Sequence, residues 1–281
     1  MYRIVYQKSV TVSGVSRCYH ISRVTSDRVW ISDTKGNLIL TNTKGEELDH
    51  VTDRGSDDGG HTVDSNGDLI YIDRNYNINK LSTENKDKTT IIKYNKPWRP
   101  RSVYSSPSTG DLLVVMYRRD TWTYTGQVVR YNSTGENIQT IQPRDIITGQ
   151  GLYRLPLYIT ENRNGDVIVS DPLCVAVVVT DRDGNYRFSY TCHTSGSVLL
   201  PSGICTDALS HILLCDRYTD SVQILDCDGH YLTEIDTSQH GINRPLGLSY
   251  DEDTQLLWVG AHDNNTVNIY RVVDTDSLTG K

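Results

Sequence analysis

The strongest constraint on this chain is that one short pattern of residues is written in it six times. Its clearest copy is Pro156–Phe188: a strand, a polar turn at Asn164-Gly165-Asp166, an apolar strand ending at Asp171, a second apolar strand Val175–Thr180, and a turn at Asp183-Gly184. Short Val- and Ile-rich runs bounded by Gly, Asn and Asp are strand-and-hairpin chemistry. The other copies centre on Val29–Asp33, Leu69–Asp73, Leu112–Met116, Ile212–Asp216 and Leu256–Gly260. The residues ending these strands are Asp33, Asp73, Met116, Asp171, Asp216 and Gly260, spaced 40, 43, 55, 45 and 44 apart. A period near 40–45 with about four short strands per unit is that of a β-propeller blade. The long interval predicts an insertion around Arg118–Gly126 in the third unit.

The fold expected is therefore all-β: a six-bladed propeller of four-stranded antiparallel blades, one unit over residues 1–281. Each sheet packs on a neighbour through both faces, which explains second strands apolar on successive residues rather than alternating. Trp30 and Trp258 fall in such strands and are read as inter-blade core. A ring left open would expose an unpaired strand edge. The sixth unit stops after its third strand, near Val273, and a spare strand at 2–12 precedes the first unit. This leading segment is expected to supply the outer strand of the last blade, leaving 274–281 as a frayed polar tail.

Composition narrows the function classes. A net charge of −7 argues against nonspecific polyanion binding while leaving room for a local basic face. None of the six Cys forms a C-x-x-C pair, so no zinc-finger ligand set is present. Buried free thiols in a reducing, cytoplasmic setting are expected. No apolar run has membrane-spanning length. Nucleotide-binding and nucleophile-elbow motifs are absent, so no cofactor, metal or catalytic residue is assigned and the chain is read as a non-enzyme. His20 and His61, at the starts of adjacent first strands, are placed to approach the central channel, and His240 and His262 the loop-rich face. The Asp residues ending the second strands are read as turn formers.

In a propeller, the loops entering each blade and the turns between second and third strands share one face. Here those segments bring Trp98-Arg99-Pro100-Arg101, Arg154-Leu155-Pro156 and Asn243-Arg244-Pro245, with Arg118, Arg119 and Arg217, and with aromatics Tyr117, Trp122, Tyr153 and Tyr218. Arginine forks beside aromatic planes suit an acidic or phosphorylated peptide or a single-stranded nucleic acid. The partner-binding set expected is Trp98, Arg99, Arg101, Tyr153, Arg154, Arg217 and Arg244.

The segments Gly165–Asp171 and Arg244–Asp251 resemble NHL repeats. Together with Trp98-Arg99-Pro100, Ser106–Val114, Tyr158–Asn162 and Gly203–Asp216, they are similar to the C-terminal propeller of an invertebrate group of tripartite-motif (TRIM) proteins. The resemblance covers nearly the whole chain. It implies a target-recognition module of a ubiquitin ligase whose parent carries RING, B-box and an oligomerising coiled coil. Arg99, Arg101 and Arg244 match family positions around the Pro at blade entrances. The chain has no RING or B-box cysteine pattern, so an isolated recognition domain or stand-alone paralogue is expected. A protein partner is the first expectation, sequence-selective RNA on the same face the second, and a metal-dependent hydrolase or lyase the third.

Overall fold

The short apolar runs form strands because each is flanked by residues that turn the chain. Asn or Asp at a strand end accepts N–H groups two and four residues on, as Asn162 does from Asn164 and Asp166 and Asp181 from Asp183 and Asn185. The computed structural model describes residues 2–51, 59–142, 144, 150–192 and 197–274. Its strands are β1 (Tyr2–Thr11), β2 (His20–Thr25), β3 (Arg28–Ser32), β4 (Leu38–Asn42), β5 (Glu47–His50), β6 (His61–Val63), β7 (Leu69–Ile72), β8 (Ile78–Leu81) and β9 (Lys88–Ile92). They continue with β10 (Arg99–Ser105), β11 (Leu112–Arg119), β12 (Tyr124–Tyr131), β13 (Asn137–Ile141), β14 (Tyr158–Glu161), β15 (Val167–Asp171), β16 (Ala176–Thr180) and β17 (Tyr186–Tyr190). The last are β18 (Pro201–Thr206), β19 (Ile212–Asp216), β20 (Ser221–Leu225), β21 (Tyr231–Asp236), β22 (Pro245–Asp251), β23 (Leu256–Ala261) and β24 (Thr266–Asp274).

These make six four-stranded antiparallel sheets. Five follow chain order, and the sixth runs β22-β23-β24-β1. The N-terminal strand thus closes the last blade, paired from Tyr2 opposite Asp274 to Thr11 opposite Thr266 with a shift of register between Tyr6 and Lys8. The first strands of successive blades touch all the way round, from β2–β6 to β22–β2, so the ring is complete. Asp274 belongs to β24 rather than to a tail, and residues 275–281 lie outside the described residues. Part of the long third interval is an extension of β11 and β12, paired out to Arg119 opposite Tyr124, rather than a loose loop; the rest lies in the connection between β13 and β14.

Six hydrophobic clusters fill the six junctions between blades. Trp30 packs with Leu69 and Tyr71 between blades one and two. Trp258 packs with Val29 and Ile31 between blades six and one. Strands β15 and β19 are buried along their whole length, as sheets covered on both faces must be.

The closing strand is also fastened by a polar clasp. The Tyr2 hydroxyl donates to Asp207 Oδ2 at 2.6 Å, and His211 Nδ1 lies 2.5 Å from the same hydroxyl and 3.1 Å from Asp207. The hydrogen bond to Asp207 raises the His211 pKa against the opposing effect of burial. Burial opposes ionisation of Asp207, but His211 and Tyr2 outweigh it and hold the carboxyl below its usual range. The Asp207 contribution is therefore present above about pH 4 and lost as pH falls through its folded pKa. The His211 contribution is complete below about pH 6.5 and fades as pH rises through its raised pKa. Tyr2→Phe is expected to cost about 1–2 kcal/mol in urea denaturation. His211→Gln should flatten the loss of stability as pH rises above about 6.5; an unchanged pH profile in that variant contradicts the clasp.

Candidate binding face and the central channel

The end of each second strand sets the geometry of one face. Asp33 accepts the N–H groups of Lys35 and Asn37 in its own turn and that of Ser16 in the loop entering its blade. Asp171 does the same for Leu173 and for Arg154 and Leu155, and Asp216 for Tyr218 and Leu200. Burial opposes ionisation of Asp33, yet the converging donors hold its pKa below the usual value. At Asp171 burial wins and the pKa rises. These carboxylates form turns, as the sequence suggests, and on blades one, four and five they also tie the entering loop to the turn beside it. Arg154 and Arg217 are held on that frame, whereas Met116 and Gly260 stand at the equivalent positions of blades three and six, which carry Arg99, Arg101 and Arg244.

On blades two and three, arginines and rings alternate. The Arg99 guanidinium lies 5.4 Å from the Tyr76 ring, Arg101 5.8 Å from Tyr117, Arg118 5.2 Å from Trp98 and Arg119 5.5 Å from Tyr124. Hydrogen bonds to Tyr117 and Tyr94 raise the Arg99 pKa further. Trp98 is half-buried against the core between these blades, so its ring serves chiefly as a platform for Arg118.

Near the axis the arrangement differs. Arg217 is half-buried; its backbone N–H donates to the Leu200 carbonyl, but its guanidinium makes no hydrogen bond or ion pair among the described residues and its Nε is enclosed without a partner. Burial, and then Arg244 beside it, lower its pKa. Arg244 is exposed, donates its backbone N–H to Asp220 and lies 3.6 Å from Asp263. Arg101 and Arg217 both stabilise the phenolate of Tyr158, although burial keeps that hydroxyl well above its ordinary pKa. Arginines from blades three, five and six therefore surround the centre of the face.

Of the residues expected there, Arg99, Arg101, Arg217 and Arg244 are gathered on this surface, and Arg154 is exposed on blade four. Tyr153 is a correction: it is 2% exposed and packs in the core between blades three and four. A Cβ at Gly126 would lie 2.8 Å from the Tyr153 Cβ, so glycine there lets the strand close over it. Among the described residues, the exposed apolar groups on this face are Trp122 (88%), Tyr218 (64%), Leu173 (42%) and Val175 (37%), in turns between second and third strands, and Val198 (48%), in the loop entering blade five.

A separate space of about 770 Å³ occupies the axis and opens between the first–second turns, on the opposite face. His20 and His61 stand at its deep end, edge to face at 4.6 Å, as their positions in sequence suggest. Burial depresses both imidazoles, His61 to about 4, so both are neutral near pH 7. Among the described residues no three His, Cys, Asp or Glu side chains are grouped to hold a metal ion.

No family model and no curated protein matches the chain. Solved structures match along nearly all of it. Virginiamycin B lyase from Staphylococcus aureus aligns with 97% of this chain and 100% of its own at a TM-score of 0.66 and 12% identity. A gluconolactonase from Xanthomonas campestris covers 95% and 98% at 0.69 and 14%, and the WD40 β-propeller domain of Doa1 covers both chains fully at 0.64 and 13%. The likeness is one of fold. It joins enzymes and a WD40 domain alike, and fold alone does not choose between them. No helix among the described residues is long and apolar enough to cross a membrane.

Asp216→Ala removes the acceptor shared by Leu200, Tyr218 and Gln223. It is expected to cost about 2–4 kcal/mol in chemical denaturation. Arg217→Met, by contrast, should raise the midpoint of thermal unfolding by about 1–3 °C, because it relieves a desolvated, repelled charge. A fall of that size would mean that Arg217 has a structural partner.

Proposed function

We propose that this chain is a recognition module that binds a protein partner bearing an acidic or phosphorylated segment across the arginine-bearing face. The observation that carries this reading is Arg217: a half-buried, unpaired guanidinium facing a second arginine. A cation held at such cost gains most when an anionic group arrives, because charge-assisted hydrogen bonds then satisfy donors that water reaches poorly. Arg101 and Arg244 would share the same anion, and Trp122 and Tyr218 would supply the desolvated aromatic anchors that dominate protein interfaces. The role resembles that of the target-binding propeller of a tripartite-motif ubiquitin ligase, with catalysis of ubiquitin transfer supplied outside this chain. Six free cysteines fit a reducing compartment such as the cytoplasm.

RNA is the second reading, favoured by the alternation of arginines and rings on blades two and three. The protein reading is preferred because those rings already carry an arginine on one face and the whole chain is acidic. A lyase or hydrolase reading draws on the enzymes among the structural neighbours.

Peptide arrays of acidic and phosphorylated sequences, probed with wild type and with Arg99→Ala/Arg101→Ala/Arg244→Ala, test the proposal. Wild type should retain a subset of peptides, and the triple variant should bind them at least about tenfold more weakly. Equal binding by the two proteins contradicts the site. Retention of single-stranded RNA instead, with affinity falling steeply as salt rises, would assign the face to RNA.

A further inference from the structure

The axial channel has a chemistry unlike that of the arginine-bearing face. Its wall is built in tiers. Residues at matching register in the six first strands, Ser22, Thr62, Tyr104, Thr160, Cys205 and Ser249, pair with Trp30, Ile70, Leu113, Ile168, Leu213 and Trp258. Five of these six carry hydroxyls, and all six line the channel. The neighbouring positions add Ile21, Val103, Ile159, Ile204 and Leu248. Several wall hydroxyls already donate to backbone carbonyls: Ser22 to His61, Thr206 to Glu161 and Tyr104 to Glu161. Their lone pairs remain, so the wall is richer in acceptors than in free donors.

The channel is blind. One step nearer the arginine-bearing face the strands carry Gly60 and Gly203, where a Cβ would lie 2.4 Å from the Arg101 carbonyl oxygen and 2.2 Å from that of Leu246. Backbones meet there because side chains are missing, and His20 fills the remaining gap with Tyr158 stacked on it at 5.3 Å. The His20 side chain makes no hydrogen bond among the described residues; its Nδ1 is enclosed, so Nε2 is the nitrogen left for a ligand in the channel. Both nitrogens of His61 are already directed at the carbonyls of Gly59 and Trp30.

Charges around the channel are matched. Arg23 lies 2.7 Å from Asp251 and 3.5 Å from Asp253, Lys80 2.7 Å from Asp64, and Arg130 2.7 Å from Glu161, while Arg163 is paired with Glu252. Among the described residues, the acidic and basic side chains lining the channel each have a partner of opposite charge. What the walls offer is hydroxyl lone pairs and one neutral imidazole, that of His20, without a hydrogen bond at the bottom.

We propose that the blind axial channel binds an uncharged, polyhydroxylated small molecule of sugar size, inserted from the face opposite the arginines, with His20 hydrogen-bonded to its innermost hydroxyl. The volume is ample for such a ligand, and pockets of this size combine apolar walls with a few placed polar groups. Hydroxyl groups of the ligand donate to the wall acceptors, while the aliphatic tier is buried between the blades and backs the wall. This site is independent of the peptide-binding reading, since it lies on the other side of the Gly60–Gly203 constriction.

The test is calorimetric titration of the full chain with glucose, maltose, glucosamine and glucose 6-phosphate. The expected result is saturable binding of glucose or maltose, with the ammonium and phosphate derivatives of glucose at least about tenfold weaker than glucose, because neither finds a counter-ion. His20→Leu, and separately Ser249→Val in case the first fails to fold, should weaken sugar binding about tenfold. The triple arginine variant should leave it unchanged. The proposal is overturned if neither neutral sugar binds, if a charged derivative binds more tightly than glucose, or if folded His20→Leu and Ser249→Val variants bind as wild type does.

Discussion

No blade in this ring can bury its own sheet, and that shortage governs the rest. Each of the six clusters draws side chains from two blades, so the core exists only where neighbours meet. Stability is then a property of the closed circle. The first strand of the chain completes the last sheet, and the Tyr2–Asp207–His211 clasp fixes it to the fifth blade. Function inherits this arrangement. With the core confined to junctions, the loops and the axis are what remain free for recognition.

The two ends of the axis have divergent electrostatics. At one end buried carboxylates at Asp33, Asp171 and Asp216 accept backbone N–H groups and fasten the loops of blades one, four and five, Arg154 and Arg217 being among the residues so placed. Arg217 is left desolvated and unmatched. At the other end each cation on the rim has a carboxylate, and the interior presents hydroxyls. A side chain at Gly203 would clash with the Leu246 backbone, and the same crowding separates the two environments. The proposed ligands, an anion on one face and a neutral molecule in the other, thus rest on one scaffold built from a repeated unit.

Much of this is legible in the residues because the repeat records it. The six second strands, the closing segment 2–12 and the approach of His20 and His61 to the channel follow from period and turn chemistry. The NHL and tripartite-motif resemblance implies a role that no matching family model supports and that the fold neighbours, a lyase, a gluconolactonase and a WD40 domain among them, leave open. What the pattern could not show depends on contacts far apart in sequence. Tyr153 looks like a loop aromatic, and only its fit against Gly126 reveals it as core. Arg130, inside the apolar run of β12, signals a buried partner but not which one; the fold brings Glu161 to it. The isolation of Arg217 is a statement about what does not reach it, and sequence spacing carries no such information.

The central claim is that the arginine-bearing face is the working surface for a macromolecular partner. Hydrogen–deuterium exchange of the chain, with and without its tightest-binding acidic or phosphorylated peptide, tests this most directly. The account predicts slowed exchange in the segments around Trp98–Arg101, Arg118–Thr123 and Arg217–Asp220, with the first–second turns around Ser65–Gly67 and Pro107–Ser108 unchanged. Protection confined to those first–second turns, with the arginine segments exchanging as in the free chain, would contradict it.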